Sequence, residues 1–192
     1  MFEILNNKPL LLTIDNFLKA SECEEIINYS WPWKRSGGYD HSTHASKETP
    51  ERTSSTVFIN SKDPTIPKVL KNINSKISEF FKIDYSKLEP PQLQRYEPGQ
   101  LYIPHWDYFF HGPHINNNRV CTTIIYLNDN FTGGTTTFPK LNKVIQPKQG
   151  KILYFEYDYI QEQNVLTMHS GDKVLNGSKY IVTTWIRKTK WP

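Results

Sequence analysis

The sequence predicts a mainly β, α+β domain, a sandwich or barrel of jelly-roll type with N-terminal helices packed on the outside of one sheet. Three observations predict it. Beyond residue 91 helical periodicity stops, and about eight short β-like runs follow, at 92–97, 101–107, 119–127, 135–138, 144–146, 150–157, 165–169 and 179–188. Turn residues separate these runs, among them Pro98-Gly99, Gly112-Pro113, Gly133-Gly134, Gln149-Gly150 and Asn176-Gly177. The helical patterns all come earlier in the chain, which places them on one sheet rather than between strands.

Pro9 to Ile14 is an apolar, β-branched run and the first expected strand. Ser21-Glu-Cys-Glu24 has capping-box spacing and opens a helix carrying Ile26 and Ile27, which Trp31-Pro32 ends. Residues 34–52 are polar, with Gly37, Gly38 and several Ser and Thr, and read as a long loop. Thr53 to Asn60 reads as a short strand. Asp63 to Phe81 carries Ile66, Val69, Leu70, Ile73, Ile77, Phe80 and Phe81 at helical spacing, with Pro67 in the first turn. Pro90-Pro91 then breaks the chain.

At 192 residues the chain is expected to form a single domain, with a strand and helix support region over 1–90 and a β core over 91–190. The apolar fraction is 37% and the aromatic fraction 14%, which excludes a disordered chain. A net charge of +4 with interleaved signs is no nucleic-acid footprint, so nucleic acid is not an expected partner. The one basic cluster, Arg187-Lys-Thr-Lys190, reads as a solvated end. Cys23 and Cys121 are isolated and fit a reducing compartment better than a disulfide scaffold. No signal peptide or membrane span is expected, and the expected location is cytoplasmic.

The chemistry concentrates in His105-Trp-Asp107. Gln100 to Pro104 reads as extended chain, where side chains at i and i+2 leave the same face. His105 and Asp107 therefore point together and Trp106 points away. An imidazole and a carboxylate from one strand make two thirds of the 2-His-1-carboxylate facial triad of non-haem Fe(II) oxygenases. Taken alone, the pair also fits a surface His-Asp contact. His41, His44, His111 and His114 read as loop residues. His169 closes the apolar run Val165 to Met168 and is the candidate third ligand.

Ten residues later Lys179 opens an apolar strand. Alternation puts Lys179, Ile181, Thr183 and Trp185 on one face and Tyr180, Val182, Thr184 and Ile186 on the other. A lysine there is ordinarily a snorkelling edge residue. Beside a metal, its ammonium suits the far carboxylate of a bidentate co-substrate. Iron with three protein ligands keeps three positions for a 2-oxo acid and dioxygen, whose reaction supplies an oxidant for a C–H bond. Zinc fits the same donors, but no acidic residue is clearly placed as a hydrolase base.

Several blocks, in order, make the chain resemble the prolyl 4-hydroxylases, which are Fe(II)- and 2-oxoglutarate-dependent dioxygenases. They are Arg52-Thr-Ser-Ser55, Gln94-Arg-Tyr-Glu-Pro-Gly-Gln100, His105-Trp-Asp107, the strand from Arg119 to Asp129, and Gly133-Gly-Thr-Thr-Thr-Phe-Pro139, followed by Pro147-Lys-Gln-Gly150, His169-Ser-Gly171 and Gly177-Ser-Lys-Tyr180. The resemblance spans about residues 52 to 188. It implies a double-stranded β-helix, His105, Asp107 and His169 as iron ligands, and Lys179 as partner of the distal carboxylate of 2-oxoglutarate. It implies Tyr96 and Thr136 as further contacts to that carboxylate, and Tyr102, Arg119 and Trp185 on the substrate side. Dioxygen as co-substrate and ascorbate as a reductant are implied too, with a proline-containing peptide or protein as partner. Read without the resemblance, Tyr96, Tyr102 and Trp185 are core aromatics, Arg119 a surface charge and Thr136 a strand residue.

The chain departs from the family at Thr135, where many members have Glu, at Tyr180, where Trp is usual, and at Arg187, where the collagen-type enzymes carry His. None of these touches the iron, but Thr135 and Arg187 bear on substrate choice. Loops 34–52 and 108–118 are expected to border the substrate groove. Rival readings are the same oxygenase chemistry on a lysyl side chain, a free amino acid or a nucleobase, and a non-catalytic binding module. The last predicts a missing ligand or lysine, and none is missing.

Overall fold

The computed structural model describes residues 1–40 and 45–192; the side chains of 38–40 and 45–48 lie outside the description, as do His41 and His44. The chain opens with a hairpin, β1 (Phe2–Asn7) and β2 (Leu10–Ile14), followed by helix α1 (Ala20–Asn28). Three short strands come next: β3 (Lys34–Arg35), β4 (Gly37–Asp40) and β5 (Ala45–Glu48). After β6 (Ser55–Phe58) stand helices α2 (Lys68–Lys71) and α3 (Ile73–Phe81). The second half is β7 (Gln92–Tyr96), β8 (Tyr102–His105), β9 (Arg119–Tyr126), β10 (Thr132–Gly133), β11 (Thr136–Phe138), β12 (Lys143–Ile145) and β13 (Ile152–Glu156). A short helix α4 (Gln161–Asn164) precedes β14 (His169–Gly171), β15 (Val174–Asn176) and β16 (Lys179–Arg187).

An eight-stranded antiparallel sheet runs in the order β1-β2-β13-β9-β16-β7-β6-β3. A smaller sheet, β12-β11-β14-β8, faces it, which gives the jelly-roll arrangement. The central strands β9, β13 and β16 are buried on both faces, because both faces are covered. Ile124 and Tyr126 of β9, Leu153 and Phe155 of β13 and Ile181 of β16 point between the sheets. Ile125, Ile152, Tyr154, Val182 and Ile186 point the other way, onto Ile26, Leu70, Ile73 and Ile77 of the helices. The helices thus brace the back of the large sheet and leave its front face for the site.

Five local expectations are corrected. Residues 34–52 are not one loop: β3 joins the large sheet, and β4 and β5 pair with each other. The α1 box is offset, since the Lys19 amide donates to Glu22 (2.7 Å), which leaves Ser21 inside the first turn. The helix expected from Asp63 begins at Lys68, because Pro64 and Pro67 remove two amide donors and Asp63 closes a turn on Thr65. It also breaks at Asn72, next to the buried Asn74, which ties Glu89 O (2.9 Å) to Thr184 Oγ1 (3.2 Å). Val165–Thr167 is a helical turn rather than a strand. There Thr167 Oγ1 donates to Asn164 O (2.7 Å), a local bond that competes with strand pairing.

Candidate metal centre and active-site cleft

β8 ends at His105 and β14 begins at His169, and these two residues face each other in the ladder. The chain bends after His105, and Asp107 turns back between the sheets. His105 Nε2 lies 3.7 Å from Asp107 Oδ1, and His169 Nε2 lies 3.6 Å from Asp107 Oδ2. The three ligand atoms fall within 4.8 Å of one another, the one such group of three among the described residues. Trp106 points away, as the alternation predicts, and its Nε1 donates to Val165 O (3.1 Å).

The donor set suits a divalent cation. Each histidine Nδ1–H donates to a carbonyl, His105 to Ile103 O (2.8 Å) and His169 to Thr167 O (3.0 Å). Those bonds fix the tautomer and leave both Nε2 lone pairs aimed at the gap. Burial, with the neighbouring His169, pushes the His105 imidazolium down to about 3. Burial works to raise Asp107, but His169, His105, Arg119 and the Thr122 bond outweigh it and hold the carboxyl at about 2. Two imidazoles presenting Nε2 and one carboxylate are a donor set for Fe(II) or a similar ion.

Two further groups hold Asp107. Thr122 Oγ1, on β9 and fully buried, donates to Asp107 Oδ2 (2.7 Å) and lies 2.9 Å from the Tyr157 hydroxyl. With the Thr122 proton committed to the carboxylate, Tyr157 donates to Thr122. Arg119 Nη1 donates to Asp107 O (3.3 Å). Thr122 and Tyr157 carry no sequence signal: they sit 15 and 50 positions from Asp107 in strands that read as plain core.

Lys179 opens β16 opposite Tyr96 of β7 and is 2% exposed. Its Nζ donates to Gly134 O (2.7 Å) and lies over the Tyr96 and Tyr126 rings at 5.2 and 5.7 Å. Burial pushes the ammonium down to about 8, opposed by the charge of Asp172. Gly134 has φ +64°, and a Cβ there would come 2.8 Å from the Phe131 ring and 3.2 Å from Lys179 Cδ. Glycine suits this positive φ and keeps the Phe131 ring and the lysine stem in place. The Tyr96 hydroxyl donates to Gln94 Oε1 (3.1 Å), and Thr136 Oγ1 accepts from Tyr126 (2.7 Å). The triad, Lys179, Tyr96 and Thr136 line one inner pocket of about 40 Å³. The expected inward face of β16, Lys179, Ile181, Thr183 and Trp185, lines that same pocket.

From the triad a cleft of about 930 Å³ opens outward. Tyr102, Arg119 and Trp185 all line it. Residues of both loops expected to border a groove line it too, including Glu51, Phe109 and His114. The Tyr102 ring stacks on His105 at 3.5 Å. Arg119 is no surface charge: its Nε and Nη2 donate to Glu89 at 2.7 and 2.9 Å, and its guanidinium lies 3.8 Å above the Trp185 ring. Glu89 is 30 residues away, beside Pro90, so local charge patterning does not show the pair. Arg187 is not part of a solvated tail. It is 3% exposed and its Nε lies 2.6 Å from Glu89 Oε1, so of that cluster it is Lys188 to Lys190 that reach solvent. Thr135 Oγ1 donates to Asp172 (2.5 Å), and Tyr180 packs against Trp33 at 6.1 Å. Arg52 also lines both cavities, a residue that carries only motif resemblance in the sequence.

A model of the 2OG-Fe(II) oxygenase superfamily matches residues 91–187, which contain the triad and Lys179. The chain belongs to that superfamily. Probable prolyl 4-hydroxylase 10 of Arabidopsis thaliana is 30% identical over 209 residues, spanning 96% of this chain and 71% of the relative. The viral collagen prolyl hydroxylase from Paramecium Bursaria Chlorella virus-1, solved with 2OG, has a TM-score of 0.70 at 27% identity, covering 93% of this chain and 96% of that one. A prolyl hydroxylase from Trichoplax adhaerens, solved with a hypoxia inducible factor peptide fragment, shares the fold, with a TM-score of 0.71 at 21% identity over 95% and 84% of the two chains. The chain is thus a prolyl 4-hydroxylase-like oxygenase of the jelly-roll fold, with Fe(II) and 2-oxoglutarate as metal and co-substrate. Among the described residues no helix of this oxygenase is long and apolar enough to cross a membrane, and both cysteines are free and buried.

Proposed function

We propose that this oxygenase hydroxylates prolyl residues of a peptide or protein, with Fe(II) held by His105, Asp107 and His169. One observation carries the reading: a 2-His-1-carboxylate set and a buried lysine line one inner pocket, and that pocket opens into a cleft of about 930 Å³, roomy enough for a peptide. The plant relative and the viral neighbour both bear prolyl hydroxylase names. When bound, the iron supplies dioxygen activation coupled to oxidative decarboxylation of 2-oxoglutarate, and the products are succinate, carbon dioxide and a hydroxylated C–H position.

The protein holds these reactants in register. His105 and His169 present fixed Nε2 atoms, and Thr122 fixes the Asp107 carboxylate. Lys179 pairs with the distal carboxylate of 2-oxoglutarate, assisted by the hydroxyls of Tyr96 and Thr136. Apolar walls from Ile124 and Ile181 keep bulk water from that ion pair. Tyr102, Trp185 and Arg119 set the peptide against the metal from the cleft side.

The test is mass spectrometry on a library of proline-containing peptides, with and without 2-oxoglutarate. The expected product gains one oxygen atom on proline, with succinate in equal amount. Neither succinate nor product across a broad panel would overturn the proposal.

A further inference from the structure

The outer cleft has a charge imbalance close to the triad. Three guanidinium groups line it below the surface: Arg52 at 8% exposure, Arg187 at 3%, and Arg119, whose side chain is 16% exposed. Apart from the metal ligand Asp107, one buried carboxylate among the described residues of the cleft, Glu89, answers them. Arg119 takes both of its oxygens, and Arg187 Nε crowds the same Oε1 at 2.6 Å. Arg187 Nη1 is committed to Asn117 O (2.8 Å). Among the described residues Arg52 makes long hydrogen bonds to Gly37 O and Gln92 Oε1 at 3.4 Å each and lies over the Tyr102 ring at 5.1 Å, and its buried Nε has no hydrogen-bond partner there. Trp185 Nε1, 6% exposed and lining the same cleft, is likewise a buried donor without an acceptor.

Buried cations in excess of their counter-ions are costly, and buried donors without acceptors add to that cost. The inner pocket does not relieve the excess. There the metal and Lys179 are balanced by Asp107 and the two carboxylates of 2-oxoglutarate. The cleft therefore fits a partner that brings negative charge and acceptors. Resting on the peptide-hydroxylase reading, we propose that the cleft selects peptides with a carboxylate beside the target proline, and that Arg187 together with Arg119 reads it. The carboxylate comes from an Asp or Glu side chain or from a peptide C-terminus. Phe109 lies 5.1 and 5.3 Å from the two guanidinium carbons, and Trp191 lies 4.9 Å from that of Arg187, so aromatic faces hold the cations in place. Arg187 is a specificity residue in this account; it does not touch the metal ligands.

The experiment uses the full chain loaded with Mn(II) and 2-oxoglutarate under nitrogen, so that peptide binding is read without turnover. Labelled peptides differ only in Asp or Asn next to proline, or in a free or amidated C-terminus, and fluorescence anisotropy gives each Kd. A charge-assisted contact predicts that one of the carboxylate peptides binds about tenfold or more tighter than its neutral match. Which pair shows the difference tells side chain from terminus. Added salt shrinks the ratio, Arg187→Gln brings it toward one, and Arg187→Lys keeps part of it. Asp and Asn, or acid and amide, within twofold on the wild-type protein overturn the proposal whatever the variants do. So does an oligonucleotide of equal charge that binds more tightly than every peptide. Parallel aerobic turnover separates the two claims: tight acidic binding without hydroxylation defeats the reaction assignment alone, and hydroxylation without charge preference defeats this inference alone.

Discussion

Replacing Thr122 with valine removes one hydroxyl and preserves shape, so it isolates the bond that orients the Asp107 carboxylate. Thr122 Oγ1 is fully buried and sits 2.7 Å from Asp107 Oδ2. A hydrogen bond to a charged group contributes roughly 1.5–3 kcal/mol. At about 1.4 kcal/mol per factor of ten, that predicts metal affinity weaker by about 10- to 150-fold, in line with other outer partners of metal ligands. The same change strands the Tyr157 hydroxyl, 2.9 Å from Thr122, which costs roughly 1–3 kcal/mol of stability. Adding Tyr157→Phe removes the stranded donor and should recover stability without recovering metal affinity. The assay is competition for Co(II) or Mn(II) between the metal-free protein and a chelator, beside thermal melts. Thr122→Ser, which keeps the hydroxyl, should bind metal nearly as the wild type does. A Thr122→Val protein that binds metal within twofold of wild type would refute the claim that this hydroxyl positions the ligand.

Three other outcomes are expected. Burial holds the Lys179 ammonium at about 8 in the free protein, so above that pH the lysine must take up a proton before it can pair with a carboxylate; the Kd for 2-oxoglutarate, measured anaerobically on Mn(II)-loaded protein, should be flat below pH 8 and rise above it, and a flat line to pH 10 would contradict the pairing. Gly150 has φ +76°, and an added Cβ would meet the Leu18 carbonyl oxygen, so Gly150→Ala should lose about 2 kcal/mol and roughly 4–8 °C in Tm, readable by calorimetry. Metal together with 2-oxoglutarate binds only the folded chain, so removing both with a chelator and dialysis should lower Tm, by the equivalent of about 2.7 kcal/mol where the ligand had stood at a hundred times its Kd.

The features legible in the sequence are those whose cause is local. Strand alternation needs only neighbours, and it correctly separates Lys179, Ile181, Thr183 and Trp185 from Val182 and Ile186. It also pairs His105 with Asp107, although Asp107 lies just past the end of β8 and reaches the gap by a bend. The features that are not legible depend on distant partners. Arg119 looks solvated until Glu89 is brought across from the Pro90 turn. Arg187 looks like the start of a basic tail until the same carboxylate closes over it. The expected helix breaks at Asn72, beside a buried Asn74 that serves Glu89 and Thr184, and nothing in its own neighbourhood announces that duty. β1 carries no strand signal in the sequence, because an exposed edge strand has no buried face whose apolar period would show. The Tyr157–Thr122–Asp107 chain is invisible for the same reason: three elements contribute one polar group each to an otherwise apolar interior.

The central claim is one metal and one dicarboxylate in one pocket, and anomalous diffraction from crystals grown with Mn(II) and 2-oxoglutarate tests it most directly. The account predicts a single strong peak within bonding distance of His105 Nε2, an Asp107 carboxylate oxygen and His169 Nε2, with the far carboxylate of 2-oxoglutarate on Lys179 Nζ. A peak elsewhere, or a far carboxylate turned away from Lys179 toward Arg52, would contradict it.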